Sequence, residues 1–118
     1  RGAKDPVEAR RAVSAVAKSS LVKTALFGED ANWGRIMAVL GSCGVDMDEV
    51  RTDISFSRTK LVEKGVAMGK HAEKEAAAAL KQREIHIVID LHKGKGESTI
   101  WTCDLSTEYV KINAAYRS

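Results

Sequence analysis

Glu84-Ile85-His86-Ile87-Val88-Ile89-Asp90-Leu91, followed by His92-Lys93-Gly94-Lys95-Gly96-Glu97-Ser98 and then Thr99-Ile100-Trp101-Thr102-Cys103-Asp104-Leu105, is the stretch whose reading decides the fold. Ile85, Ile87, Ile89 and Leu91 recur every second residue, the period of a strand with one buried face. Trp101, Cys103 and Leu105 repeat the pattern after a Gly-rich break, so the stretch reads as a β-hairpin turning at Lys93-Gly94-Lys95-Gly96. A one-residue slip exchanges the faces of a strand. An odd loop with a Gly bulge sets the Ile face against Trp101, Cys103 and Leu105, burying more apolar surface than an even loop, and is the expected register.

Upstream, Asp5-Pro6-Val7-Glu8 has the marks of a helix start: a capping Asp, Pro in the first turn and Glu three residues after the cap. Ala9, Ala12, Val13, Val16 and Ala17 continue at helical spacing, predicting a helix over Pro6 to Lys18. Leu21 to Phe27 fits either a helical extension or a short strand. Gly28-Glu29-Asp30 reads as a turn, and Asn32 as the cap of a helix to Leu40 with Gly41 near its end. Gly44 to Glu49 is a loop. Val50 to Phe56 alternates as a strand with Val50, Ile54 and Phe56 on one face, and Leu61 to Ala67 reads as a second, weaker strand with a turn at Lys64-Gly65. Ala76 to Leu80 are strong helix formers, predicting a helix over His71 to Gln82. Ser106 caps a short final helix from Thr107 to Asn113. Helices and strands mix without strict alternation, so the class is α+β with a mixed sheet and packed helices.

The chain has 118 residues, 44% hydrophobic and 30% charged, with a net charge of +3. That suits a single domain over 1–118 with a modest core of Val, Ile, Leu and Ala. Basic residues are dispersed among acidic ones, which argues against nucleic acid as a partner. No apolar run reaches the roughly 18–20 residues of a membrane span. Cys43 and Cys103 read as buried, reduced thiols, with one bridge between them as the alternative, and neither has zinc-ligand spacing. No metal or cofactor is expected. The Gly94-Lys95-Gly96 turn lacks the spacing and following helix of a phosphate loop. His71, His86 and His92 do not form a ligand set. His86 and His92 fall on the strand face opposite the Ile residues. Trp33 and Trp101 read as core or interface residues.

Two blocks carry a resemblance. Leu21-Val22-Lys23-Thr24-Ala25-Leu26-Phe27-Gly28-Glu29-Asp30-Ala31-Asn32-Trp33-Gly34-Arg35-Ile36 is one; Thr102 to Ser118, with its Tyr109-Val110-Lys111-Ile112-Asn113-Ala114-Ala115-Tyr116-Arg117-Ser118 end, is the other. Together they resemble the C-terminal region of the bifunctional ornithine acetyltransferase (glutamate N-acetyltransferase) family. The resemblance implies a part of that family's layered sandwich, soluble and cytoplasmic. It also implies acetyl transfer from N2-acetylornithine to glutamate in arginine biosynthesis, through an acetyl-threonine intermediate on a chain produced by self-cleavage.

In that family an Asn and a final hydroxyl residue bind the substrate's amino-acid moiety, so the resemblance points to Asn113 and Ser118. An amide and a hydroxyl supply the donors and acceptors such a task needs. Ala115 stands where the family pattern has Asp, so no acidic role is expected there. The resemblance also allows Gly28 to Gly34 to form a wall of the substrate cleft; on residue chemistry alone, Glu29 and Asp30 serve the following helix start. Thr24, Thr52, Thr59, Thr99, Thr102 and Thr107 are internal, and none follows a cleavage sequence. The expectation is therefore the C-terminal portion of a beta chain, inactive alone. Its partners would be the alpha chain and the remainder of the beta chain in a heterotetramer, with acetyl-CoA as a possible further donor. The alternative reading is a stand-alone α+β binding or assembly module with a mildly basic surface.

Overall fold

The computed structural model describes residues 2–82, 84–103 and 109–113; at 103, 109–111 and 113 only the backbone is described. Helix α1 spans Pro6–Lys18, with Pro6 in the first turn and the Asp5 carboxylate accepting from the Glu8 amide at 2.8 Å. Its apolar stripe, Ala9, Ala12, Val13, Val16 and Ala17, is buried as the spacing predicts. Helix α2 spans Ser20–Phe27, which resolves the ambiguous segment as helix; the Ser19 hydroxyl caps it at the Val22 amide. Helix α3 spans Trp33–Ser42, capped by the Asn32 amide oxygen on the Arg35 amide, so Gly41 lies inside the helix.

The strands follow: β1 (Asp53–Phe56), β2 (Thr59–Glu63) and β3 (Val66–Ala67), then helix α4 (Lys70–Ala79), β4 (Glu84–Asp90), β5 (Thr99–Cys103) and β6 (Tyr109–Asn113). Lys64 and Gly65 both have positive φ, the conformation that a two-residue turn between twisted strands requires. Val50 falls outside β1, in a 3-10 turn at Glu49–Arg51, and is exposed. That turn begins at Asp48, whose carboxylate accepts from the Val50 amide, which takes this amide away from strand pairing. Helix α4 ends at Ala79, three residues before the predicted end, with Leu80 as the buried C-cap.

Two expectations are overturned together. The strand order is β3-β2-β1-β4-β6-β5, so β4 and β5 do not pair and there is no hairpin. The segment expected as a helix over Thr107 to Asn113 instead supplies β6 over Tyr109–Asn113, parallel to β4 and antiparallel to β5. Tyr109, Val110 and Ile112 are strand formers in a run too short to stabilise a helix alone. With β6 inserted, Ile112 pairs with Ile87 on one side and Ile100 on the other. The faces of β5 therefore exchange: Ile100 packs on the core, and Trp101, expected inward, is 54% exposed.

Across the buried side of the sheet runs a register-matched row, Phe56–Ile87–Ile112–Ile100, with Ile54–Ile89 beside it. Helix α1 packs on β5 and β6, and α4 on β2. Residues from these helices and from α2 and α3 close one hydrophobic cluster over the sheet. The architecture is the expected α+β class: helices packed on a mixed six-stranded sheet.

Candidate functional site

Parallel pairing of β4 and β6 brings their carboxyl ends to the same edge of the sheet. Asn113 is the last residue of β6, and its backbone lies across from Val88 on one side and Thr99 on the other. Two residues further along β4 stands Asp90, itself paired with Asp53 of β1. Open sheets with parallel strands characteristically bind ligands at this end. Ser118 and Ala115, with the rest of the tail, lie outside the described residues, as does the expected Ser106 cap.

The strand ends beside Asn113 carry a polar network the sequence reading did not single out. His92 sits past the end of β4 with φ +51 rather than on the strand face. Its Nε2 is 2.9 Å from the Asp53 carboxylate, and its Nδ1 is 3.5 Å from that of Asp90. Asp90 also accepts from the His92 amide at 3.0 Å, and Asp53 from the Lys64 amide at 2.8 Å. The Lys60 ammonium stands 3.7 Å from Asp53, and Arg51 donates to the His92 carbonyl.

Both carboxylates are largely buried but well satisfied, as buried charges must be. Burial by itself pushes the Asp53 carboxyl upward; the His92 and Lys64 hydrogen bonds and the Lys60 charge outweigh it, leaving the pKa below its ordinary value. Lys60 is held above its ordinary value, chiefly by its hydrogen bond to Glu63 and then by Asp53. The signal for this network is cross-strand proximity of Asp53 and Asp90, which needs the register and cannot be read along the chain.

The N-terminal segment is clamped onto the same edge. Ala3 exchanges backbone hydrogen bonds with Gly96, and a Cβ on Gly96 would meet Asp5 backbone atoms at 2.2 to 2.7 Å. The Gly94-Lys95-Gly96 stretch is thus neither a hairpin turn nor an anion loop: its glycines let two backbones touch.

The first resemblance block forms a separate feature. Glu29, with φ +58, Asp30 and Ala31 line an open cleft of about 430 Å³ opposite Lys70, Glu73 and Lys74 of α4. Asn32 Nδ2 donates to the Asp30 carboxylate at 3.2 Å, so Asp30 steadies the residue that caps α3. The cleft mixes both charge signs. Trp33 is half-buried against the core.

His71 pairs with Glu75 and His86 with Glu84, each apart from His92, and no metal-binding group occurs among the described residues. The Cys43 thiol is free and half-buried, less enclosed than expected, with its Sγ 3.4 Å from the Leu40 carbonyl. No described helix is long and apolar enough to cross a membrane.

Similarity to known proteins is extensive. The arginine biosynthesis bifunctional protein ArgJ of Desulfotalea psychrophila is 54% identical over 117 residues, covering 99% of this chain and 30% of that protein. The Geobacter sulfurreducens protein of the same name is 47% identical over 118 residues, again across 30% of its length. The crystal structure of arginine biosynthesis bifunctional protein argJ from Bacillus halodurans superposes with a TM-score of 0.84 at 35% identity, covering 91% of this chain and 50% of that one. The chain therefore spans about 30% of the length of the curated relatives it matches. The ArgJ family model matches residues 1–118, and the chain belongs to the ArgJ family.

Proposed function

We propose that these residues form the substrate-gripping end of an acetyltransferase of arginine biosynthesis, acting within a longer ArgJ polypeptide. The acetyl group leaves N2-acetylornithine as its amide C–N bond breaks, and a threonine hydroxyl outside these 118 residues takes it as an ester. Ornithine departs with the proton on its amine. The glutamate amine then attacks the ester, forming N-acetylglutamate and restoring the hydroxyl. Asn113 and Ser118 hold the amino-acid part of each substrate: an amide offers two donors and an acceptor, and a hydroxyl both donates and accepts. They stand five positions apart, a reach of at most ~18 Å, enough to bracket one amino acid from two sides.

The family match over residues 1–118 carries this reading. The place of Asn113 at the carboxyl end of paired parallel strands supports it. The partners that follow are the alpha chain and the remainder of the beta chain of one self-cleaved precursor, assembled as a heterotetramer, with no cofactor required.

Transfer of labelled acetyl from N2-acetylornithine to glutamate by the full-length protein is the test. Asn113→Ala and Ser118→Ala each remove a hydrogen bond to a charged group, about 1.5–3 kcal/mol, so the Michaelis constants should rise roughly 10- to 100-fold. Wild-type Michaelis constants in both variants would refute the assignment.

A further inference from the structure

His92 sits where the ends of β1 and β4, the 3-10 turn and the N-terminal segment meet. Asp53 and Asp90 stand directly across from each other on β1 and β4, a position in which like charges repel. The imidazole joins them, with Nε2 2.9 Å from the Asp53 carboxylate and Nδ1 3.5 Å from that of Asp90. A neutral ring carries one N–H, so it serves one carboxylate and turns a lone pair toward the other; the imidazolium attracts both. His71 and His86, by contrast, each pair with a single carboxylate, Glu75 and Glu84.

The backbone points the same way. His92 has φ +51, a conformation that a residue with a side chain adopts at a cost. Its carbonyl accepts from Arg51, and the Lys93 and Gly94 amides donate to the Gly2 carbonyl. Gly2, with φ +73, packs so closely that an added Cβ would strike the Asp90 carboxylate. The ring is 40% exposed, against 15% for Asp53 and 14% for Asp90, so it can trade its proton with solvent while its partners stay enclosed. The charges around it are Lys60, 3.7 Å from Asp53, and Arg51 and Lys64, which line a cavity of about 150 Å³ beside the ring. Lys93 pairs instead with Asp46 at 3.5 Å.

We infer that His92 is a positioning residue for the amino-acid site at Asn113: its imidazolium clamps Asp53 to Asp90 and steadies the carboxyl end of β4, and loss of the proton loosens that end. The inference rests on the proposed role of Asn113 and adds a pH-dependent control to it. Asp90 lies two residues beyond Val88, the residue across from Asn113, about 7 Å along the strand. A shift of the β4 end therefore reaches the binding residue through one strand pairing. Histidine is the side chain suited to such control, because its charge changes between about pH 5 and 8.

The Michaelis constant for N2-acetylornithine, whose own groups keep their charge between about pH 6 and 8.5, reads the effect in the full-length protein. It should rise at least about five-fold over that interval. His92→Gln, which cannot take up the charge, should show the raised value at both pH values. His92→Lys, a cation at both, should show no step. Where His92→Gln does not fold by circular dichroism, His92→Lys carries the comparison alone. A flat wild-type constant, or the same step in either variant, overturns the inference. Acetyl transfer without a pH step would sink this inference and leave the proposed function standing; no acetyl transfer at either pH would sink both.

Discussion

Ile112→Ala tests the insertion of β6, on which the position of Asn113 depends. Ile112 is fully buried between Ile87 and Ile100, in a row that crosses four strands. Truncating a buried isoleucine to alanine costs the transfer of three carbons plus a cavity that packed neighbours cannot fill, about 2–5 kcal/mol. On one side β4 is held by its ladder to β1, and on the other β5 is held by α1 packed on it, so collapse is limited and the expected cost is in the upper half, about 3–4 kcal/mol. A protein of this size unfolds with a total near 5–15 kcal/mol. With a urea dependence of about 1–3 kcal/mol per molar, the midpoint should fall by roughly 2 M.

Equilibrium urea unfolding followed by far-ultraviolet circular dichroism reads the shift, with Ile112→Val as a control expected near 1 kcal/mol. Trp101→Ala should cost less than Ile112→Ala, because the indole is already half exposed. Had β4 and β5 paired directly, the ranking would invert. A loss below about 1 kcal/mol for Ile112→Ala, with a larger loss for Trp101→Ala, refutes the strand order.

Gly96→Ala should cost at least about 2 kcal/mol in the same assay, since its methyl would strike the Asp5 backbone and neither segment has a flexible side chain to move away. Gly28→Ala, where the added carbon finds ordinary contacts beyond 3.5 Å, is the tolerated comparison. Asp53 titrates below its ordinary value in the fold, so its contribution is complete above the unfolded carboxylate value and disappears as pH falls through the depressed one. Unfolding curves of wild type and Asp53→Asn should therefore differ at pH 6 and converge toward pH 2; a constant gap would show that Asp53 acts through shape alone.

Local signals wrote much of this fold plainly. Asp5-Pro6-Val7-Glu8 fixed the start of α1, and Asn32 that of α3, because caps act within one helical turn. The alternation of Ile85, Ile87, Ile89 and Leu91 correctly gave the buried face of β4. What failed was non-local. Nothing near Lys93 to Gly96 reveals that the chain crosses the width of a strand still to come, and the face of β5 followed from the wrong partner. The Tyr109 to Asn113 alternation was present in the sequence, but the polar residues around it favoured a capped helix. The proposal for Asn113 rests on its motif. The Asp53–His92–Asp90 network was not legible, because Asp53 and His92 are 39 residues apart in the chain.

The interior place of β6 also has a bearing on synthesis. Of the six described strands it is the last to emerge from the ribosome, yet β5 reaches the sheet only through it. Until those residues are translated, β4 keeps one open flank with its isoleucines in place, a surface suited to pairing with a neighbouring nascent chain. Ribosome stalling a few codons early would leave a species prone to aggregate, and holdase chaperones should be most needed during that short interval.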